Sequence, residues 1–185
     1  MLITLLLLSP AAAAASTSLS GTWRSASEAM PLTTAFDESV WGKNAKSIRT
    51  VQMVIEPTGE ATLTIVRKVV DARGRMVRGT TSLEHVEVVL GAAESVNGVR
   101  SELAATVKNA ERRYPDDPEA TWILEDLRVT LATFNDKPDE IEVRVDFPAG
   151  RGSFWEMLRR IPRSNQRRAT RAHNAGADLT VHRES

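Results

Sequence analysis

Residues able to do chemistry are few. The chain has 185 residues, three histidines (His85, His173 and His182) and no cysteine. Without cysteine there is no thiolate nucleophile, thiolate zinc site, iron–sulfur cluster or disulfide. No two histidines have the strand i,i+2 or helix i,i+4 spacing that aims two imidazoles at one metal, so a histidine-based centre is unsupported. His85 lies among Leu83, Glu87 and Val89 on one strand face and is read as a satisfied or solvent-facing residue. His173 and His182 fall in a polar tail. Asp116, Asp117 and Glu119 lie around two prolines, without the regular spacing of a calcium loop. No nucleophile elbow, phosphate-binding loop or dinucleotide fingerprint occurs. Asp126 and Arg128 share a strand face with Trp122. They point outward if the face from Ile123 to Leu131 is the buried one, and inward only if a bulge reverses them. An enzyme reading rests on Asp126, Arg128 or His85 lying in an interior polar cavity. The sequence nominates no catalytic residue, no metal and no cofactor.

Recognition chemistry is better represented. Four tryptophans occur, at 23, 41, 122 and 155. Large aromatics fill cores more often than they read ligands. Trp41 is the exception, because it shares a short predicted helix with Phe36, where an aromatic can cover an opening. Phe36, Trp41, Trp122 and Arg128 are therefore the candidate ligand-binding residues. Charge is uneven: residues 151–185 carry eight arginines against Glu156, Asp178 and Glu184, while the whole chain is neutral. The stretch 164–185 has no apolar stripe and reads as a flexible basic tail, suited to an anionic membrane surface or an acidic partner, or serving only to solubilise. Nucleic acid is disfavoured, since no basic strand face is interleaved with aromatics.

The elements that must position these residues are mostly strands. Thr34 and Asp37 form a capping box, Phe36, Val40 and Trp41 share a stripe, and Gly42 is a stop, which predicts a helix over 35–41. From Ser47 the period becomes two. Runs at 47–56, 61–70 and 76–90 are separated by the turns Pro57–Glu60 and Asp71–Arg75, with a loop at 91–98. The stretch 99–108 alternates as a strand, although 100–113 also suits a helix. Strands at 121–134 and 141–147 follow; Ile141, Val143, Val145 and Phe147 give the clearest one-sided alternation. Ser153 and Glu156 make a second capping box, which predicts a helix over 154–161, with a final strand as the competing reading. Many strands joined by tight turns predict a mainly β protein: an antiparallel up-and-down meander that hides its edges by closing into a small barrel.

Gly21-Thr22-Trp23 at the start of the first strand, followed by a lid-like helix, a meander and a late helix, resembles the lipocalins and the wider calycin barrels. The resemblance implies that Trp23 plugs the closed end of the barrel, that Arg159 or Arg160 stacks across it as the other part of the structural plug, and that the open end admits a small apolar ligand. The second lipocalin signature and the paired cysteines are missing.

Hydrophobic residues make up 42% of the chain and charged ones 26%, ordinary for a globular protein and unlike a disordered or multi-pass membrane chain. Residues 1–15 are uncharged, with Leu5 to Leu8 apolar and Ala11 to Ala15 small, the pattern of a secretory signal peptide except that Lys and Arg are missing from its start. Domains are therefore expected at 1–15 (signal), 16–163 (barrel) and 164–185 (tail), in a periplasmic or secreted bacterial protein. The leading functional expectation is an exported barrel that binds a small apolar or amphipathic ligand. A cell-envelope interaction protein with a filled barrel comes second, and an enzyme with an interior polar site third.

Overall fold

The computed structural model describes residues 19–147 and 152–162; the expected signal at 1–15 and the tail at 164–185 lie outside them. Among the described residues ten strands and one helix follow in order: β1 (Gly21–Arg24), β2 (Glu28–Pro31), α1 (Ala35–Trp41), β3 (Lys46–Ile55), β4 (Glu60–Val70), β5 (Ser82–Ser95), β6 (Arg100–Tyr114), β7 (Asp117–Ile123), β8 (Arg128–Phe134), β9 (Glu140–Asp146) and β10 (Ser153–Arg160). All pairings are antiparallel. The sheet runs β1-β10-β9-β8-β6-β5-β4-β3, and β3 returns to β1, so eight strands close a barrel. The up-and-down order is compatible with a calycin-like fold. Among the described residues no helix is long and apolar enough to cross a membrane.

The two remaining strands extend barrel strands. β1 and β2 both pair with β3, one after the other, and break at Ser25. There the Ser25 amide donates to the Val51 carbonyl (2.8 Å), and its hydroxyl accepts from the Val51 amide (2.9 Å). β7 and β8 both pair with β6 in one continuous register, so residues 121–134 are one long strand interrupted at 124–127. Asp126 there takes a positive φ of 56°.

Period-two alternation fills the interior. Val51, Met53, Leu63, Ile65, Leu131, Ile141, Val143, Val145 and Leu158 are fully buried and form one cluster with Trp23. An eight-stranded barrel has an interior about wide enough for side chains to fill, and removing one large aliphatic from it costs about 2–5 kcal/mol. Turn chemistry follows the residues. Gly59, φ 88°, closes the β3–β4 hairpin with its amide on the Glu56 carbonyl (3.0 Å). α1 forms as expected, with the Thr34 hydroxyl accepting from the Asp37 amide at 3.0 Å and donating to its carboxylate at 2.6 Å. None of its residues is buried.

Three expectations need correction. Residues 153–160 are strand β10, not a helix: Phe154, Glu156 and Leu158 face inward opposite Val145, Val143 and Ile141, and β10 is needed to link β9 to β1, so closure of the sheet outweighs the local Ser153/Glu156 capping signal. Residues 91–95 continue β5 rather than forming a loop, paired with β6 as far as Ser95↔Ser101. Residues 100–113 are strand, which settles the choice left open there. Finally, Ile123 is not on the buried face of Leu127, Val129 and Leu131, because the 124–127 break changes which face it takes; it is 66% exposed.

Candidate functional site

The two ends of the barrel are chemically different. At one end Trp23 is fully buried, and its indole N–H donates to the Leu19 carbonyl at 2.9 Å. The Arg160 guanidinium lies 4.2 Å from the Trp23 ring centroid, and its Nη1 donates to the Ser20 carbonyl at 2.8 Å. Cation and ring face thus close this end. Arg159, the other candidate, points outward; it is 79% exposed and ion-paired to Glu140 at 3.1 Å.

At the opposite end the inward phase of the strands runs from apolar into charged residues. On β3 the inner series Ile55, Met53, Val51 continues to Arg49. On β4 the series Leu63, Ile65 continues to Arg67, directly opposite Arg49. On β5, Leu90, Val88 and Val86 lead to Glu84, and on β10, Leu158 leads to Glu156. Arg112 joins them through an irregularity. The β5–β6 register shifts between Glu87/Val88, leaving Lys108 as an extra residue, so the inner face of β6 passes from Leu103, Ala105 and Val107 to Ala110 and Arg112. A bulge re-aims a side chain in this way.

Glu84 is 1% exposed. Its Oε1 accepts from Arg112 Nε at 3.0 Å and from Arg112 Nη2 at 2.6 Å. Its Oε2 is 3.6 Å from Arg67 Nη2, an ion pair without a hydrogen bond. Both Oε2 and the buried Arg67 Nε have no hydrogen-bond partner. The two arginines are therefore unequal. Burial first, then the charges of Arg112 and Arg49, lower the Arg67 pKa against the pull of Glu84. Burial would also lower Arg112, but the charge and hydrogen bond of Glu84, with help from Tyr114, raise it overall. Arg49 has its own partners, Glu28 at 2.9 Å and Glu156 at 3.0 Å. Two rings complete the site: Arg49 lies 4.8 Å and Arg67 5.7 Å from the Phe154 centroid, and Phe147 is tilted against Phe154 with centroids 6.2 Å apart.

Of these groups Arg49, Arg67, Phe147 and Phe154 line a cleft of about 230 Å³, together with Met30 and Ser47. It lies at the seam where β2 leaves β10: β10 pairs with β1 only at Arg159 and Arg160, and β2 pairs with β3 alone. The Arg49–Glu156 contact spans that seam. Larger clefts of about 460 and 410 Å³ lie on the outer face by Trp155 and near the Trp23 end. At the first, Arg100 is matched by Glu102 and Glu142, and Arg144 by Asp146. Unmet polar demand, rather than volume, distinguishes the mouth.

None of the residues nominated from sequence lines this cleft. α1 carries Phe36, 73% exposed, and a half-buried Trp41 in the connection from β2 to β3, at the mouth end. Trp122 is opposite Arg112, hence on the inner face of the strand, but beyond the rim and 61% exposed. Arg128 is exposed on the outer face opposite Asp146. Asp126 is exposed in the strand break, so no inward Asp126–Arg128 pair forms. His85 faces outward, 3.6 Å from Glu87. Among the described residues no group of three or more His, Asp or Glu side chains is placed to hold a metal ion. Sequence reading missed Arg49, Arg67, Glu84 and Glu156, although each is in phase with an apolar inner face; that phase was the available signal. Arg112 had no such signal, because the bulge is not legible locally.

No protein-family model matches the chain, and comparison with curated proteins and with solved structures finds no match. The fold and the mouth alone bear on function.

Proposed function

We propose that this is a small β-barrel binding protein of calycin-like type that takes a small amphipathic ligand at its arginine-lined mouth. The observation that carries the reading is the contrast between the ends. One is plugged by Trp23 and Arg160, whose N–H groups meet carbonyls, whereas at the cleft of the other, buried polar atoms lack partners beside two phenylalanine rings. Convergent polar groups on an apolar wall are how small-molecule sites are built. Residues beneath the cleft are packed together, so the ligand lies across the mouth rather than deep in the barrel. Phe36 and Trp41 on α1 and Trp122 on β7 flank that end and would cover the ligand.

Export to the periplasm or medium belongs to the same proposal and is supported by the pattern of residues 1–15. Mass spectrometry of protein from the native host should find a start between Ala14 and Thr17; an intact Met1 rejects export by this route. Binding is tested by NMR titration with short-chain alcohols, acids and amines. Amide shifts should concentrate at Met30, Ser47, Phe147 and Phe154. No shifts with any compound, or shifts confined to the outer strand faces, would remove the reading.

A second reading, an envelope interaction protein, is favoured by Trp122 and Ile123, both exposed on β7, which pairs on one side only. Deleting 164–185 and substituting Trp122 and Ile123 by Ser would then abolish capture of a partner at unchanged stability.

A further inference from the structure

Within the mouth, the triad Arg67, Glu84 and Arg112 carries a local excess of one positive charge that specifies the ligand further, while the two carboxylates of Glu28 and Glu156 are taken up by Arg49. Arg67, Glu84 and Arg112 place two guanidiniums on one buried carboxylate, and the carboxylate is committed to Arg112 by two contacts of 2.6 and 3.0 Å. Arg67 is left with a 3.6 Å ion pair and a buried Nε that donates to nothing. It also faces Arg49 directly across the β3–β4 ladder. Like charges directly opposed in a sheet repel unless an anion lies between them. Arg49 supplies no relief, since Glu28 and Glu156 already occupy it.

We propose that the mouth binds a small organic monoanion: a carboxylate seated on Arg67, attached to a compact apolar or aromatic body lying on Phe147 and Phe154. This rests on the mouth being the binding site and names the class of ligand. A planar carboxylate matches the guanidinium fork, which gives paired, charge-assisted hydrogen bonds. One negative charge balances the triad, whereas a cation would meet Arg49 and Arg67. The cleft of about 230 Å³ is smaller than the roughly 300–1,000 Å³ of sites for drug-sized ligands. Fully buried Val51, Leu63 and Ile65 lie beneath it, so the apolar body lies across the mouth and does not run down the barrel.

The test is calorimetric titration of the full chain with octanoate, octanol, octyltrimethylammonium and inorganic phosphate. Octanoate should bind most tightly, with every other compound at least about tenfold weaker. Arg67→Gln should weaken octanoate about 10- to 100-fold, the worth of one charged hydrogen-bonding contact; Arg67→Lys should fall between, and Arg159→Gln on the outer face should change nothing. Octanol binding as tightly as octanoate overturns the anion and leaves the mouth reading standing. Phosphate alone matching octanoate overturns the apolar body. Silence from all four compounds removes both readings. The wild-type series stands without any variant, and urea unfolding of Arg67→Gln verifies that its loss is not misfolding.

Discussion

Replacing each arginine of the triad in turn tests the geometry directly. In Arg112→Met, Glu84 stays buried but loses both hydrogen bonds to Oε1, leaving only the 3.6 Å contact with Arg67. Removing one partner of a buried ion pair costs about 3–5 kcal/mol, because the remaining charge is stranded. Arg112 is 27% exposed and Arg67 can swing toward Glu84, so the cost falls just below that range, at about 2–3 kcal/mol. Arg67→Met is different. It removes a guanidinium with an unpaired Nε and two like-charged neighbours, and Glu84 keeps Arg112. The expected result lies between no change and about 1 kcal/mol of stabilisation. Urea unfolding at neutral pH measures both; the midpoint should move and the slope should not. In thermal melts Arg112→Met should lose about 4–12 °C, at about 2–4 °C per kcal/mol for a domain of this size. If Arg67→Met costs as much as Arg112→Met, Glu84 is shared equally and the asymmetry argued above is wrong.

Three further expectations follow from particular contacts. Trp23→Phe keeps an aromatic ring at the closed end but strands the Leu19 carbonyl, and should cost about 1–3 kcal/mol in urea unfolding; a loss below about 0.5 kcal/mol would contradict the plug. A Cβ on Gly91 would lie 2.7 Å from the Ala104 carbonyl oxygen, so Gly91→Ala should destabilise by about 1–3 kcal/mol. Gly98→Ala, in open space, should stay within about 0.5 kcal/mol, and equal effects at the two sites would refute the close approach. Asp71 is held below its ordinary carboxyl value, chiefly by the Arg75 amide, with the Arg75 guanidinium and Arg73 amide adding to it against some desolvation. Its folded pKa lies below the unfolded value of about 3.9, so its contribution is present above that pH and is lost as pH falls through the folded value. Acid titration followed by NMR should therefore move the Arg73 and Arg75 amides together, below about pH 4. Amides that stay fixed through that range would exclude the turn's dependence on the carboxylate.

Much of the barrel was legible because alternation and turn chemistry agree. From Val51 to Ile55 and from Ala61 to Ile65 every second residue is apolar and faces inward, and Pro57 with Gly59 supplies the fixed and positive φ that a tight turn requires. Legibility failed wherever tertiary pairing overrode a local signal. Ser153 and Glu156 read as a capping box, yet β10 is a strand because the sheet needs a partner for both β9 and β1. Phase failed at two irregularities. The extra residue at Lys108 turns Arg112 inward, and the break at 124–127 separates Ile123 from the face of Val129. Neither carries a glycine or proline to announce it. Arg49, Arg67 and Glu84 went unnoticed for a different reason: only the apolar residues of each face were followed, although these charged ones hold the same inward phase.

That inward phase also bears on what the mouth is for. A barrel gains stability by continuing its apolar series to the rim, and replacing a buried ionic cluster with well-packed hydrophobic residues is often neutral or stabilising, by about 1–4 kcal/mol. The Trp23 end shows how a rim can be closed within the chain: one cation, one ring, and carbonyls that meet the remaining N–H groups. The other end spends five inward positions on Arg49, Arg67, Glu84, Arg112 and Glu156 and still leaves a donor and an acceptor unmet. Packing does not require that arrangement, and internal pairing does not complete it. An external group that accepts from Arg67 offsets its unshared charge, which is why the site is assigned to this end and why Arg67, the residue least needed by the fold, is the one on which binding should depend.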